Sequence, residues 1–424
     1  MIQTEEQINL LLKPFQRFGI SLGLTRIEKL LNDLGNPQKK VPIIHVAGTN
    51  GKGSVCAYLS SILTAAGYKT GRFISPHLIS WTERICLNQK PIAGDNLITI
   101  LRHIQDNIDP HGESPTQFEV ITAAAWLYFA QSEVDVAVME VGLGGRLDAT
   151  NVCDRPLASI ITSISREHWQ RLGDTLAKIA YEKAGVIKAN CPVVVGKLPS
   201  EAQQVIQAKT AKLNCPTVWV ESAQKITNQD EDWAIYQGFS YPLSLKGEIQ
   251  LQNSALAIAT VHILQQQGWS ISQSAIEQGM RATRWAGRIE WVRWHNQDIL
   301  IDGAHNVASA KILREYVNSL NRPIIWVMGM LSTKDHQGIL ESLLYPDDQL
   351  YLVPVPDHST ANPEELAKLA QEIFPQLPTP KIEQELFLAL DKALKMVKNQ
   401  QKTVVICGSL YLLGYFLKQY QTRT

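Results

Sequence analysis

Short runs of β-branched residues alternate with segments of helical period along most of this sequence, and no other feature restricts the possible fold as strongly. Such alternation is typical of βαβ units, in which parallel strands form a buried sheet and helices cover it. The predicted fold class is therefore α/β. The first unit is predicted as a strand at 41–47, a helix at 54–66 that ends before Gly67, and a strand at 69–75.

The same alternation continues to the end of the chain and suggests where it divides. Further strands are predicted at 134–141, 157–163 and 192–195, with helices at 118–131 and 174–187. A second series of strands is predicted at 289–294, 299–301, 324–328, 350–355 and 403–407. Because segment 281–288 interrupts both patterns and contains Gly287, we expect one domain at 1–284 and another at 285–424.

The composition excludes several classes of protein. The 424 residues include 40 Lys plus Arg and 40 Asp plus Glu. The chain therefore lacks the excess of basic residues that would indicate nucleic-acid binding. The apolar runs are shorter than the roughly 20 residues that cross a membrane, and no secretory signal pattern opens the chain, so we expect a cytoplasmic protein. The 6 cysteines form no C-x-x-C pair, which favours reduced thiols over a disulfide framework or a zinc site.

A glycine-rich loop follows the first predicted strand and leads directly into a helix. It consists of Gly48, Thr49, Asn50, Gly51, Lys52, Gly53 and Ser54. Glycines let backbone N–H groups approach phosphate oxygens, the helix N-terminus adds the positive end of its dipole, and Lys52 adds a charge. The spacing differs from G-x-x-x-x-G-K-[ST], since Val46 occupies the first glycine position and Gly53 separates Lys52 from Ser54. The order strand, loop, helix still predicts a nucleoside triphosphate site.

Several longer sequence blocks stand out along the chain, each occurring once. They are HVAGTNGKGS at 45–54, SPHL at 75–78, MEVGLGGRLDATN at 139–151, EKAG at 182–185, AGRIE at 286–290, DGAHN at 302–306 and GSLYLLG at 408–414. Over nearly its full length the chain resembles the folylpolyglutamate synthase and dihydrofolate synthase family of the Mur ligase superfamily. The resemblance implies an N-terminal P-loop ATPase-like domain with a mostly parallel sheet and a smaller C-terminal Rossmann-like domain, which close over the substrates.

The resemblance also implies a reaction. Members join the amino group of L-glutamate to the carboxylate of a pteridine substrate at the expense of ATP, through an acyl phosphate. The substrate is dihydropteroate, a (tetrahydro)folate polyglutamate, or both, and we expect a bifunctional enzyme here. The family is usually monomeric, and its partners are small molecules.

By the same resemblance, four residues are assigned to the nucleotide. Asn253 is expected at the adenine, Arg288 on the phosphates, Asp302 at the ribose and His305 near the nucleotide. An independent chemical argument supports the assignment of Arg288 to the phosphates. An arginine at the domain join reaches the triphosphate only when the domains close, which couples closure to charge stabilisation. We expect the catalytic residues to be Lys52, Lys183, His168 and Arg288.

Two Mg²⁺ sites are expected beside the nucleotide. Mg²⁺ prefers oxygen ligands and bridges phosphates, and Glu140 ends an apolar strand at the edge where α/β sheets bind ligands. The resemblance assigns Ser75 and Glu140 to one ion, and Glu140 and His168 to the other. It also implies that Lys183 is carbamylated and helps to hold the second ion. The plain alternative for Lys183 is a lysine that pairs with Glu182 or a phosphate.

The acceptor site is expected from three stretches that match those of bifunctional relatives. They are Ser21, Leu22, Gly23 and Leu24; Thr116, Gln117, Phe118 and Glu119; and Leu147, Asp148 and Ala149. An aromatic ring such as that of Phe118 suits a flat pteridine. The structural alternatives are that Phe118 is a core residue and that Asp148 caps a turn.

Two other functions compete with this one. A cell-wall Mur ligase shares the ATP machinery but should lack the SPHL loop and the GLGGRLDATN block, and both are present. A nucleotide-binding P-loop protein without ligase activity would bind ATP but would release no ADP in response to glutamate.

Overall fold

The strands of the larger part of the chain form a mostly parallel sheet, as the alternation predicts. The structure is a computed structural model that describes residues 2–18, 22–227, 231–356, 358–397 and 402–423. The chain divides into two compact units, the larger of Met1–Ser244 with Gln250–Arg284 and the smaller of Leu245–Ile249 with Trp285–Thr424. No pattern in the sequence indicates that Leu245–Ile249 groups with the second unit.

The larger unit contains the N-terminal sheet. Its strands are β1 Ile43–Ala47, β2 Thr70–Phe73, β3 Ile85–Leu87, β4 Lys90–Pro91, β5 Val136–Glu140, β6 Ala158–Ile161, β7 Val193–Val195 and β8 Thr217–Trp219. Within the described residues the spatial order is β4-β3-β2-β5-β1-β6-β7-β8. The strands from β2 to β8 in that order pair in parallel, and β3 and β4 extend the β2 edge antiparallel.

Helices cover this sheet. They are α1 Ile2–Leu12, α2 Thr25–Asp33, α3 Lys52–Ala65, α4 Gly94–Asp106, α5 Gln117–Gln131, α6 Trp169–Leu172, α7 Leu176–Lys183, α8 Ser200–Lys212, α9 Ile249–Gln266 and α10 Gln273–Ala282. The helix predicted at 174–187 is thus α7, followed by a short 3-10 turn at Ala184–Val186. An antiparallel sheet of β9 Gln224–Thr227, β10 Asp232–Tyr236 and β11 Phe239–Pro242 was not predicted.

The core explains why these elements form. Each residue of β1 and β5 is buried, so both strands need apolar side chains on both faces. Alternate residues of a strand share a face, which puts Ile43, His45 and Ala47 on the same side of β1. Ile43 belongs to a cluster that includes residues of α1, α2, α4 and α5, and Ala47 to a second cluster that includes residues of α7 and α8.

The smaller unit contains the C-terminal sheet. Its strands are β12 Glu290–Trp294, β13 Gln297–Ile301, β14 Ile324–Met328, β15 Gln349–Leu352, β16 Lys381–Ile382 and β17 Thr403–Cys407. Its helices are α11 Val307–Asn318, α12 His336–Leu343, α13 Pro363–Ile373, α14 Leu386–Val397 and α15 Leu410–Arg423. In the described part of the chain the order is β12-β13-β17-β14-β15-β16, with β12 antiparallel to β13 and the other pairs parallel. The α/β class and the predicted strands are confirmed.

The topology of the N-terminal sheet gathers its functional loops. β1 lies between β5 and β6, and β5 lies between β1 and β2. Because the carboxyl ends of parallel strands meet at one edge, the segments that follow β1, β2, β5 and β6 are neighbours there. Across residues 2–18, 22–227, 231–356, 358–397 and 402–423, no helix is long and apolar enough to cross a membrane.

Candidate active site

The glycine-rich loop after β1 wraps around the start of α3. Gly51 is the residue before α3 and has a φ of 87°, in the left-handed region that favours glycine. Lys52 begins the helix, and its Nζ donates hydrogen bonds to the carbonyl oxygens of Gly48 at 3.1 Å and Thr49 at 3.0 Å. The lysine charge is thus held over the loop, next to the N–H groups at the helix N-terminus that bind anions well.

A second lysine reaches the same carbonyl from another element. Lys183 is the last residue of α7, is buried, and donates from Nζ to the Gly48 carbonyl oxygen at 2.8 Å. Burial first, and then the nearby charge of Lys52, lower the pKa of Lys183 from 10.5 to about 7. A lysine with this pKa is partly neutral near pH 7, and only a neutral amine reacts with carbon dioxide.

Polar residues after β6 hold the phosphate loop, and sequence reasoning missed them. Thr162 donates from Oγ1 to the Asn50 carbonyl oxygen at 2.7 Å, and Ser163 Oγ accepts from the Asn50 N–H at 3.0 Å. The backbone N–H of Thr49 donates to the Ser163 carbonyl oxygen at 2.8 Å. The signal that could have found them is a polar run directly after an apolar strand.

Two glycines of the loop have no room for a side chain. Gly48 has a φ of 151°, and a Cβ there would overlap Thr162 Oγ1. A Cβ at Gly51 would overlap Oδ1 of Asn253 on α9. The buried side chain of Asn253, expected at the adenine, therefore lies directly against the phosphate loop. Beside it on α9, Gln250 Nε2 donates to Ser54 Oγ at 3.4 Å.

The residues expected to bind Mg²⁺ follow neighbouring strands. Glu140 is the last residue of β5, only 5% exposed, and its Oε2 accepts from the backbone N–H of Ser75 at 3.2 Å. His168 is exposed and precedes α6. Across the described ranges, no cluster of three or more His, Cys, Asp or Glu side chains forms a metal site. A buried carboxylate that contacts the backbone of Ser75 still fits Mg²⁺, which takes most of its remaining ligands from phosphate and water.

Two of the stretches expected to bind the acceptor contact each other, and the second stretch lies against the loop that carries the third. The Gly23 N–H donates to the Leu147 carbonyl oxygen at 3.3 Å, which joins the first stretch to the third. The Phe118 ring lies against Gly142, where a Cβ would overlap it. Of the first stretch, Ser21 lies outside the described residues.

An ion pair joins α2, which follows the first stretch, to the second stretch. Arg26 on α2 contacts Glu119 through two pairs of atoms, Nε to Oε2 and Nη2 to Oε1, each at 3.1 Å. Glu119 also completes the N-terminal cap of α5, since its Oε2 accepts from the Thr116 N–H at 2.6 Å and its own N–H donates to Thr116 Oγ1 at 3.2 Å. Both carboxylate oxygens of Glu119 therefore contact other groups of the protein, so Glu119 fixes the position of α2 relative to the start of α5.

Asp148 braces the loop that carries the third stretch. Its buried carboxylate accepts from the Leu143 N–H at 2.7 Å, the Thr150 N–H at 3.0 Å and Thr150 Oγ1 at 2.6 Å. Burial raises its pKa, and these hydrogen bonds oppose that rise. Asp148 thus bonds to its own loop, as the turn-capping alternative expects.

The residues expected to bind the nucleotide from the smaller unit also cluster. Asp302 is buried and accepts from the backbone N–H groups of Ile289 and Ala304, both at 2.8 Å. Burial raises its pKa, whereas the Arg288 charge opposes the rise. The Arg288 guanidinium lies so close to Gly303 that a Cβ there would overlap it, and His305 Nδ1 is 2.7 Å from the Gly303 carbonyl oxygen.

Comparisons with known proteins agree with this fold. The Mur ligase middle domain matches residues 46–261, and the C-terminal domain of dihydrofolate synthetase matches residues 288–419. A probable dihydrofolate synthetase from Schizosaccharomyces pombe is 35% identical over 412 residues, which cover 93% of this chain and 97% of that protein. A dihydrofolate synthase/folylpolyglutamate synthase from Bacillus subtilis is 37% identical over 345 residues, with 77% of this chain and 80% of that protein covered.

A solved structure is similar over almost the whole chain. The folylpolyglutamate synthase of Mycobacterium tuberculosis, complexed with ADP and AMPPCP, has a TM-score of 0.89 and 31% identity, and the match covers 99% of this chain and 98% of that one. The fold and the phosphate loop define an ATP-dependent ligase of the Mur type. The chain belongs to the family of dihydrofolate synthases and folylpolyglutamate synthases. A cell-wall ligase and a P-loop protein without ligase activity are not favoured.

Proposed function

We propose that this protein uses ATP to join L-glutamate to the carboxylate of dihydropteroate and of folate polyglutamates, and thus carries out both reactions of the family. The observation that carries the proposal is the continuity of residues 140–151. This segment begins at Glu140, beside the phosphate-loop strand, and ends in the acceptor stretch at Leu147 and Ala149. One loop therefore connects the place where ATP would be activated to the place where the pteridine would bind.

In the first chemical step, a carboxylate oxygen of the acceptor attacks the γ-phosphorus of ATP. The new bond makes an acyl phosphate, and ADP leaves with the bonding electrons. Lys52, whose Nζ donates to the Gly48 carbonyl oxygen, supplies positive charge and a donor at the phosphate loop. No nucleophilic side chain is required, since positioning and charge neutralisation carry this reaction.

Ser75, Glu140 and His168 are the residues we assign to two Mg²⁺ ions, with Lys183 a further ligand if it is carbamylated. Bound Mg²⁺ would neutralise charge on the transferring phosphoryl group. The buried carboxylate of Glu140 and the lowered pKa of Lys183 support these assignments. We assign Asn253, Arg288, Asp302 and His305 to the nucleotide, with Arg288 on its phosphates.

In the second chemical step, the neutral amine of glutamate attacks the acyl carbon. The tetrahedral intermediate collapses to the amide, phosphate leaves, and the amine loses its proton. On the acceptor side we assign the pteridine to Phe118, Gln117 and the Leu147 stretch. The buried Nε2 of Gln117 makes no hydrogen bond to the described residues, so this donor is available to a heterocycle.

The decisive experiment offers each acceptor separately. Purified protein receives ATP, Mg²⁺ and labelled L-glutamate with dihydropteroate in one tube and tetrahydrofolate in the other, and products are identified by mass. Label in both products supports the bifunctional proposal, whereas label in one restricts the enzyme to that reaction. Label in neither, with no glutamate-dependent release of ADP, overturns the ligase proposal.

We also propose that the protein acts as a monomer in the cytoplasm. All 6 cysteines are free thiols, which fits a reducing compartment. Sedimentation of the purified protein at the mass of one chain would support the monomer, and a concentration-independent dimer would overturn it.

A further inference from the structure

A buried hydrogen-bonded chain leads from the phosphate-loop strand to the acceptor loop, which we define as residues 142–151. His45 lies in the middle of β1, is 1% exposed, and its Nε2 is 2.8 Å from Thr150 Oγ1. Thr150 Oγ1 in turn donates to Asp148 Oδ1 at 2.6 Å. These three side chains cross from the strand that carries the phosphate loop to the loop that carries the third acceptor stretch.

The direction of each hydrogen bond follows from the number of protons available. A threonine hydroxyl has one proton, and Thr150 gives it to the Asp148 carboxylate. The oxygen of Thr150 must therefore accept from His45, which makes His45 the neutral tautomer protonated at Nε2. Burial lowers the pKa of His45 to about 3, so the ring keeps this neutral form at ordinary pH.

The far end of the chain is where the acceptor loop takes its shape. The Asp148 carboxylate accepts from the backbone N–H groups of Leu143 and Thr150 and thereby closes the loop on itself. The carbonyl oxygen of Leu147, inside that closed segment, accepts from Gly23 of the first acceptor stretch. A shift of Asp148 would therefore move the contact between two parts of the acceptor site.

The neighbours of His45 show that a polar residue is unusual at this position. Besides His45, β1 has four residues, and all of them are apolar and buried: Ile43, Ile44, Val46 and Ala47. A buried polar ring without a partner destabilises the fold, and an aliphatic side chain would fill the same space without that cost. The hydrogen bond to Thr150 is what an aliphatic side chain cannot supply.

We propose that His45 is a positioning residue for the acceptor: through Thr150 it holds the Asp148 carboxylate, and with it the acceptor loop, in the shape that binds the pteridine. His45 touches neither ATP nor acceptor in this scheme. The proposal rests on the function proposed above, because it concerns the acceptor of that reaction. If the proposal is right, the affinity for the acceptor depends on a residue in the strand that leads into the phosphate loop.

The test compares His45→Leu with Thr150→Val and with a matched control. Ser159 pairs in register with His45 on the neighbouring strand β6 and donates from Oγ to the Val186 carbonyl oxygen at 2.8 Å, so Ser159→Ala removes a similar buried hydrogen bond outside the chain. We expect His45→Leu and Thr150→Val each to raise KM for the acceptor about tenfold, with KM for ATP changed less than about twofold. The double variant should be no worse than either single one, and His45→Gln, which restores a donor, should recover most of the loss.

A second readout does not depend on activity. Hydrogen exchange of the amides in 142–151 should be faster in His45→Leu than in wild type, and unchanged in Ser159→Ala. Equal exchange in His45→Leu and wild type, or a rise in KM for ATP as large as that for the acceptor, would overturn the proposal. If wild type adds glutamate to no pteridine, the proposed function fails, and the exchange measurement alone decides whether His45 holds the loop.

Discussion

The Nζ atom of Lys183 lies 2.8 Å from the carbonyl oxygen of Gly48, so the end of α7 is tied directly to the first glycine of the phosphate loop. Lys183→Met keeps the length of the side chain and removes the donor. We expect kcat to fall about 100-fold or more, the usual effect of removing one donor from a site that stabilises developing charge. Steady-state kinetics would measure this.

The control for Lys183→Met lies on the same helix. Lys178 is exposed and pairs with Asp174 at 2.8 Å, away from the phosphate loop. Lys178→Met should leave kcat unchanged. Equal kcat in Lys183→Met and wild type would contradict a role for Lys183 in the reaction.

Carbamylation of Lys183 can be tested separately. With a pKa of about 7, the amine is mostly neutral at about pH 8, whereas a lysine of ordinary pKa is almost wholly charged there. We expect ¹³C-labelled bicarbonate to produce a carbamate resonance in wild-type protein at about pH 8, and no such resonance in Lys183→Met. Activity should fall when carbon dioxide is removed and return when bicarbonate is added. A spectrum identical in the two proteins would leave Lys183 as an unmodified amine.

Gly48 should tolerate no side chain. Its φ of 151° is one that L-residues rarely adopt, and a Cβ would overlap Thr162 Oγ1 and crowd the Ser163 backbone nitrogen. Because that backbone helps to hold Thr49, we expect Gly48→Ala to weaken ATP binding by at least about tenfold, measured by calorimetry.

Gly67 provides the matched control for this prediction. It also has a positive φ, of 90°, but nothing lies within 4 Å of a Cβ built there. Gly67→Ala should cost about 1 kcal/mol of stability from backbone strain and leave ATP binding intact. If Gly48→Ala bound ATP as tightly as Gly67→Ala, the packing of the loop against Thr162 would not matter for binding.

How much of the fold could be predicted depended on how strong each local pattern was. The buried strands β1 and β5 are apolar apart from His45 and Glu140, so period and composition located them to within a few residues. The antiparallel sheet of β9, β10 and β11 contains strands such as Gln224–Thr227, with polar and charged residues and little alternation. Such strands resemble loops until their partners are known.

The site residues that could be predicted from the sequence are likewise those that lie close together along the chain. The glycine-rich loop is contiguous, so its residues could be recognised together, whereas Thr162 meets Asn50 across 112 positions of the chain. That contact exists only because β6 lies beside β1, and strand order cannot be obtained from local periodicity. For the same reason the hydrogen bond between Gly23 and Leu147 could not be predicted from spacing, although the two stretches that contain these residues were both expected at the acceptor site.

The ion pair between Arg26 and Glu119 should matter for acceptor binding. Arg26 is mostly buried, and its loss would leave the buried Glu119 carboxylate without its cation, at a cost of about 2 kcal/mol. Since the pair joins the helix that follows the first acceptor stretch to the second stretch, we expect Arg26→Met to raise KM for the acceptor severalfold and to leave KM for ATP unchanged. Urea unfolding and steady-state kinetics measure the two effects.

Lys29, on the same helix, distinguishes this effect from general damage to α2. It forms an exposed pair with Asp33 at 3.1 Å, and such pairs contribute little to stability. Lys29→Met should therefore change neither KM nor the urea midpoint appreciably. If Arg26→Met behaved like Lys29→Met, the ion pair with Glu119 would not organise the acceptor site.

His45 should make the protein less stable in mild acid. Its pKa is lowered from 6.5 to about 3 in the folded protein, so between these values the unfolded chain binds a proton that the folded chain does not. The stability contribution of a neutral His45 is therefore complete above about pH 6.5 and is lost progressively as the pH falls toward 3. At about pH 5, 1.5 units below the unfolded pKa, the loss is about 2 kcal/mol.

His45→Gln removes this titration and keeps a side-chain donor near Thr150. Between about pH 7 and pH 5 we expect the free energy of unfolding of wild type to fall by about 2 kcal/mol more than that of His45→Gln. Urea unfolding at both pH values gives the four free energies, and the difference between proteins cancels the titration of all other groups. Equal falls in the two proteins would mean that His45 accepts a proton as easily in the folded chain as in the unfolded one, which a buried neutral donor to Thr150 cannot do.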